Sequence, residues 1–296
     1  MMIKDKYIDP FTDFGFKHIF GTEENKQFLI SFLNDLLDIE DKITDITYRN
    51  LEKLGLNIID RKAIFDVYCT DERGNNFIVE LQRSPQKYFK DRSLYYTSFP
   101  IQEQSKKGSW DYSLTPIYFV GILEFSFDDM RLAKNRDSNK YLTKVQLFDC
   151  EEKEVFYDKL TYYYLEMPKF RKTEKELSSH LDYWLYYLNN LADIQEIPKV
   201  FKEDKVIQEA FRVAEFLALD KNQQFSYQQD LKARWDNQAC LDFAEEKGIE
   251  KGIKKGIEKG LERGKIEIAK NLLDILDIET IALKTGLTVE EIEKLK

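Results

Sequence analysis

The sequence predicts an α/β fold, a sheet with helices packed over it, followed by a helical C-terminal region. Runs of β-branched and aromatic residues alternate with stretches whose apolar residues recur at helical spacing, the pattern of a helix-covered sheet. One run, Thr115 to Phe125, is almost wholly apolar and reads as a strand buried on both faces. Past Phe170 the strand signals stop and only helical periodicity continues.

The opening to Gly21 is short, aromatic and glycine-punctuated, and is expected to form an irregular cap or a short helical turn. If helical, it sets Asp13 and Lys17 side by side at i, i+4. From Glu23 to Leu37, the residues Phe28, Leu29, Phe32, Leu33, Leu36 and Leu37 trace one face of an amphipathic helix. A first strand is expected over Thr44 to Leu51. After a loop containing Gly55 and Asn57, the stretch Ile64 to Arg83 reads as a hairpin. Its two apolar runs flank Asp71-Glu72-Arg73-Gly74-Asn75, a short polar loop with a glycine. Ser84-Pro85 is a good helix start, serine as N-cap and proline at the first helical position. Tyr88, Phe89, Arg92, Tyr95, Tyr96 and Phe99 share one face of that helix, Pro100 is expected to kink or divide it, and Gly108 to end it. Two more strands are expected over Tyr141 to Cys150 and Val155 to Met167. Leu177, Leu181, Trp184, Leu185, Leu188 and Leu191 then keep helical spacing, as do Val206, Ala210, Val213, Ala214 and Leu217. Composition therefore divides the chain into residues 1–170 and a helical region, 171–296.

The tail is repetitive. Gly248, Gly252, Gly256, Gly260 and Gly264 recur every fourth residue, each of the first four followed by an isoleucine or leucine. Every interior glycine costs a helix about 1 kcal/mol relative to alanine. Such a helix is marginal unless the glycine groove admits another backbone. The stripe reads either as a surface for self-association or for packing along the preceding domain, or as a charged, solvated linker helix. Beyond an amphipathic segment over Ile266 to Leu276, residues 278–291 read as helix, turn, helix, with Thr288 and Glu291 forming a capping box. The last helix is short and of mixed charge. It fits a small helical cap or protein-binding module better than a DNA-reading helix.

With 45 Lys and Arg against 54 Asp and Glu, the 296-residue chain carries a formal charge of −9, which disfavours nucleic acid unless the basic residues gather on one side. Cys69, Cys150 and Cys240 are far apart, lack zinc spacing, and suggest reduced cytosolic thiols. His18 and His180 stand alone, a poor supply for a histidine-based triad or metal site. No apolar run reaches the length of a membrane helix and no signal-peptide core is present, so a cytoplasmic location and no membrane partner are expected.

The hairpin carries the chemistry. With its turn centred near Arg73, Asp66 and Glu80 lie opposite each other, and Gln82 shares the face of Glu80. Phe65, Val67, Cys69, Phe77, Val79 and Leu81 are assigned to the opposite, apolar face. Facing carboxylates repel, and burial strengthens the repulsion. A divalent cation between them makes the pair tolerable, as two carboxylates with water and a substrate phosphate form an ordinary Mg²⁺ environment. The other reading is a solvated sheet face.

Asp66, a hairpin, then Glu80-Leu81-Gln82 resembles the PD-(D/E)XK nuclease signature, with Gln82 at the usual lysine position. The opening, Asp9-Pro10-Phe11-Thr12-Asp13-Phe14-Gly15-Phe16-Lys17-His18-Ile19-Phe20-Gly21, resembles the start of the recombination-promoting nuclease (Rpn) family. The Glu-x-Gln variant, a helix with Arg92, Tyr95 and Tyr96, and the Gly-Ile-Glu-Lys-rich tail extend that likeness over most of the chain. The resemblance implies a restriction-endonuclease-like core, a mixed sheet flanked by helices. It also implies a Mg²⁺- or Mn²⁺-dependent DNA endonuclease that promotes recombination. Asp66, Glu80 and the Leu81 carbonyl would hold the metal, and Asp66, Glu80 and Gln82 would form the catalytic set. Lys17, Arg83, Lys87, Arg92 and Tyr95 would bind substrate, within a basic stretch that also holds Lys90, Lys106 and Lys107. Lys17, Lys62 and Lys87 are the lysines near enough in sequence to compensate for Gln82. A catalytically silent scaffold that binds protein or DNA is the competing expectation, favoured by Gln82 and the acidic balance. A DDE-type transposase is weaker, for want of a third acid.

Overall fold

A computed structural model describes residues 6–49, 65–105, 111–127 and 139–295 of the chain. The expected loop with Gly55 and Asn57, and Lys62, Ile64, Lys106, Lys107 and Gly108, lie outside these residues.

The aromatic opening folds as a capped helix. Thr12 accepts from the Gly15 N–H at 3.0 Å and donates to the Asp9 carbonyl at 2.7 Å, which starts α1 (Asp13–Phe20). A Cβ on Gly15 would come within 2.2 Å of the Asp9 carbonyl oxygen, so this turn closes only over glycine. Helix α2 (Lys26–Leu36) follows and buries Phe28, Leu29, Phe32, Leu33 and Leu36, the stripe its spacing predicts.

Six strands form one mixed sheet: β1 (Ile46–Tyr48), β2 (Val67–Asp71), β3 (Asn76–Gln82), β4 (Ile117–Leu123), β5 (Leu142–Asp149) and β6 (Glu154–Glu166), in the spatial order β1-β2-β3-β4-β6-β5. The pairs β3/β4 and β4/β6 are parallel, and the others antiparallel. The β2–β3 turn is set by Asp71, whose carboxylate accepts from the Arg73 and Asn75 N–H groups at 3.0 and 2.8 Å, and by Gly74, whose φ of 81° suits glycine. Helix α3 (Phe89–Glu103) links the parallel strands β3 and β4 and covers one sheet face. Helices α4 (His180–Asn190) and α5 (Lys205–Val213) join α1 and α2 over the other.

Each face has its own core. Val67, Cys69, Phe77, Val79, Val120, Ile122 and Leu165 pack with Trp184, Tyr187 and Phe211 on the many-helix side. Tyr68, Ile78, Phe119, Tyr162 and Tyr164 pack with Phe89 of α3 on the other. Phe65 belongs to this second core, contrary to the expected alternation, with its ring 4.9 Å from that of Tyr96. It precedes the bend at Asp66 and lies outside β2, so the two-residue period of the strand does not govern it.

Helix α3 departs from expectation in three ways. It begins at Phe89 rather than at Ser84-Pro85, because the Ser84 carbonyl accepts from the Gln82 side chain, and its N-cap is Tyr88. It is not divided at Pro100, and the helix continues past it at the cost of the one N–H that would have bonded the Tyr96 carbonyl. Its buried residues are Phe89, Ser93, Thr97 and Pro100, while Tyr88 and Tyr95 are exposed. The tyrosines of β6 explain that rotation. Tyr164 and Tyr162 bring hydroxyls to the helix, and Ser93 and Thr97 meet them at 2.7 Å each.

Packing divides the chain at Leu231/Lys232, not at the change of composition near Phe170, because α4 and α5 share the core of the sheet. Helix α6 (Lys221–Leu272) is continuous over 52 residues and takes in the glycine repeat and most of the segment after it. The five repeat glycines meet nothing within 4 Å of where a Cβ would stand. In the second unit Ala269 packs with Ile281 of α7 (Ile278–Thr285) and Ile292 of α8 (Val289–Glu293), and the Thr288–Glu291 capping box closes as expected.

Candidate active site

The site forms where β3 emerges from under α3. The register Val67↔Val79 continues outward to Asp66 and Glu80, so the hairpin sets the two acids together, as its turn predicts. Asp66 Oδ2 accepts from the Leu81 N–H at 2.6 Å, which ties the carboxylate to the neighbouring strand. Glu80 is only 6% exposed. One of its oxygens, Oε1, lies 3.2 Å from Arg92 Nη2, and the other, Oε2, is buried with no hydrogen-bond partner. Gln82, equally buried, donates to the Ser84 carbonyl at 2.9 Å and accepts from the same Arg92 Nη2. Gly121 of β4 pairs with Glu80, and a Cβ there would crowd Tyr164 at 3.1 Å.

Burial raises the proton affinity of both acids. It lifts Asp66 above the usual carboxylate range, while the Leu81 N–H and then the Lys17 charge oppose it. Burial and then the Asp66 charge push Glu80 up to about 8, against the pull of Arg92. An acid held so far from its ordinary value by burial and a second acid, with one oxygen unpartnered, makes this pair the candidate site.

The remaining predicted residues divide into three groups. The charges of Lys17 and Arg83 reach Asp66. Lys17 also pairs with Asp13 at 2.8 Å, and Arg83 with Asp230 of α6 at 3.7 Å. Lys87 and Tyr95 stay on the outer surface, Lys87 over the Tyr88 ring at 5.1 Å and Tyr95 edge-on to Phe99 at 5.0 Å. Arg92 is held within the site by Glu80, Gln82 and Gln86, with its guanidinium carbon 5.4 Å from the Phe89 ring centre and 5.6 Å from that of Tyr96. Sequence reasoning did not anticipate Gln86 or Asp230. Asp230 also accepts from the Phe14 N–H at 2.9 Å, so it joins α1 to the residue after β3 across a separation that no local pattern signals.

Among the described residues, no three or more His, Cys, Asp or Glu side chains are grouped to hold a metal. A Mg²⁺ ion does not need them, since it is commonly held by one or two carboxylates together with water and substrate phosphate. Glu80 and Asp66 fit that role, and the partnerless Oε2 is the atom such an ion would satisfy. No helix among the described residues is long and apolar enough to cross a membrane.

No curated protein and no solved structure shows a significant match to the chain. Over residues 10–244 it matches the family described as PD-(D/E)XK nuclease family transposase, a span that holds the capped opening, the sheet, both acids and the first turns of α6, and the chain belongs to that family.

Proposed function

We propose that the protein is a divalent-metal-dependent endonuclease that hydrolyses DNA phosphodiester bonds in the course of recombination. One observation carries this reading: Glu80, buried beside Asp66 on the hairpin of a nuclease family, keeps an unpartnered carboxylate oxygen. Asp66, Glu80 and the Leu81 carbonyl would hold Mg²⁺ or Mn²⁺. The ion, when bound, supplies Lewis-acid stabilisation of charge on the phosphoryl group and makes nearby water more acidic.

The chain's own residues prepare the rest. The Leu81 N–H fixes Asp66 and so sets where the two acids converge. Gln82 can accept and donate hydrogen bonds but brings no charge. Lys17 adds positive potential toward both acids from α1. Lys17, Arg83, Lys87, Arg92 and Tyr95 are the residues proposed to meet the DNA.

Purified protein incubated with plasmid and Mg²⁺ or Mn²⁺ is expected to nick it, and chelation is expected to stop the reaction. Asp66→Ala and Glu80→Ala should each lower the rate at least about a hundredfold. Nicking that survives either substitution rejects the proposal. The second reading, a silent nuclease-fold scaffold, is favoured by the neutral Gln82 and by the hold of Arg92 on Glu80. It requires DNA or protein binding without cleavage, and no Mn²⁺ uptake by calorimetry.

A further inference from the structure

Hydrolysis of a phosphodiester builds negative charge in the transition state, and preorganised cations or donors aimed at that charge supply much of the rate. The signature residues of this site cannot do so, because Asp66 and Glu80 are acids and Gln82 is neutral. Besides the metal ion, any positive group for that charge comes from another element of the chain. Lys17 is engaged by Asp13 at 2.8 Å, Arg83 by Asp230 at 3.7 Å, and Lys87 lies over the exposed ring of Tyr88. Of the described basic residues proposed to meet the DNA, Arg92 is the one hydrogen-bonded to the signature, and it touches Gln82 and Glu80 with the same nitrogen.

Both side chains are set for this contact. The Gln82 amide gives its N–H to the Ser84 carbonyl at 2.9 Å, which leaves its oxygen for the guanidinium. The guanidinium is held between the rings of Phe89 and Tyr96 and bonded at its other terminus to Gln86. Arginine has five N–H donors in a fixed fork and stays charged at every relevant pH, so it can hold three side chains and still keep a donor. It does keep one: Nε is buried with no partner, in the same site as the partnerless Glu80 Oε2. An unsatisfied donor and an unsatisfied acceptor, both buried, are costly unless a ligand with complementary groups completes them.

We propose that Gln82 and Arg92 act as one unit that takes the place of a signature lysine. Gln82 orients the guanidinium, Arg92 supplies the charge, and its Nε–H is the donor left for a phosphoryl oxygen of the DNA strand. This inference rests on the nuclease reading above.

The test uses Arg92→Met, which keeps an unbranched stem between Phe89 and Tyr96 but removes the charge, and the same variant carrying Gln82→Lys. A thermal melt confirms that both are folded, and calorimetry measures their Mn²⁺ binding. Arg92→Met is expected to lose about a hundredfold in kcat. Its Mn²⁺ affinity should stay within about threefold of wild type, and its KM for plasmid should rise by far less than kcat falls, since the lost interaction is strongest in the transition state. Adding Gln82→Lys should restore cleavage to within about tenfold of wild type by returning the cation to β3. A folded Arg92→Met that cuts at the wild-type rate overturns the proposal. So does a folded double variant that binds Mn²⁺ and cuts no better than Arg92→Met. If wild-type protein neither cuts nor takes up Mn²⁺, the nuclease reading and this inference fall together.

Discussion

Phe77, Val79 and Leu81 leave β3 on one side and Ile78, Glu80 and Gln82 on the other, and the two sides meet different surroundings. The first side faces a core of Trp184, Tyr187, Phe211 and other apolar residues, whose few polar atoms, the Trp184 Nε1–H and the Tyr187 hydroxyl, donate to Ser31 Oγ and the Ala210 carbonyl on the helices. The second faces α3, whose buried Ser93 and Thr97 answer tyrosine hydroxyls and whose Arg92 answers Glu80 and Gln82. Here each polar atom needs its own partner, and two lack one, Glu80 Oε2 and Arg92 Nε. The parity of one strand thus separates the residues that hold the fold together from those that bear chemistry.

The largest effect should separate the two sides most clearly. Phe77→Ala, which empties a fully buried site, is expected to cost about 3–5 kcal/mol in a urea melt at neutral pH. Glu80→Gln should shift the same melt by no more than about 1 kcal/mol while abolishing cleavage, since burial already favours the protonated acid up to about 8 and the amide oxygen can still accept from Arg92. Equal losses from the two substitutions would make Glu80 a structural residue and erase the distinction.

Gly15→Ala comes next. Its added methyl meets the Asp9 carbonyl oxygen at 2.2 Å, and moving α1 away is expected to cost about 1–3 kcal/mol. Because α1 carries Lys17, cleavage should fall as well, and an unchanged rate would separate Lys17 from the site.

Much of this design is legible in residue types. The Asp71–Gly74 turn and the flanking apolar runs set the hairpin register, which carried one residue past Val67↔Val79 brings Asp66 toward Glu80, where the Leu81 N–H fixes its carboxylate. What escapes a reading of the sequence depends on neighbours distant in the chain. Phe65 changes sides because the strand has not yet begun. The buried face of α3 is set by hydroxyls at Tyr162 and Tyr164, and Ser84 is drawn from its capping role by the Gln82 amide. Arg92 reads from sequence as a hand for DNA. Its hold on Gln82 becomes visible only when the helix lies over the strand.

Two smaller effects sharpen the contrast. Thr97→Val strands the Tyr162 hydroxyl beneath α3 and should cost about 1–2 kcal/mol, well below Phe77→Ala, as a lost hydroxyl contact does against a lost aromatic ring. On the many-helix side, His180 lies between Asp35 and Asp204, with Asp204 2.6 Å from Nε2. Burial works against a charged ring there, but the hydrogen bond and charge of Asp35, and then those of Asp204, outweigh it and raise its pKa above 6.5. The stability it contributes is therefore fully present below about pH 6.5 and is lost as pH rises through the elevated value. Urea melts of wild type and His180→Gln should accordingly converge with increasing pH. A constant gap between them would make the ring a neutral packing group.

The glycine repeat of α6 has a geometric consequence of its own. Ile249, Ile253, Ile257 and Leu261 are each more than half exposed, and the glycines beside them are bare. A step of four residues overruns one turn by about 40°, so this greasy thread spirals around its rod in the right-handed sense. A second rod could not lie along it as in a zipper. It would have to cross at about 50°, touch for a few turns and diverge, so that any grip by this tail is a clasp at a point.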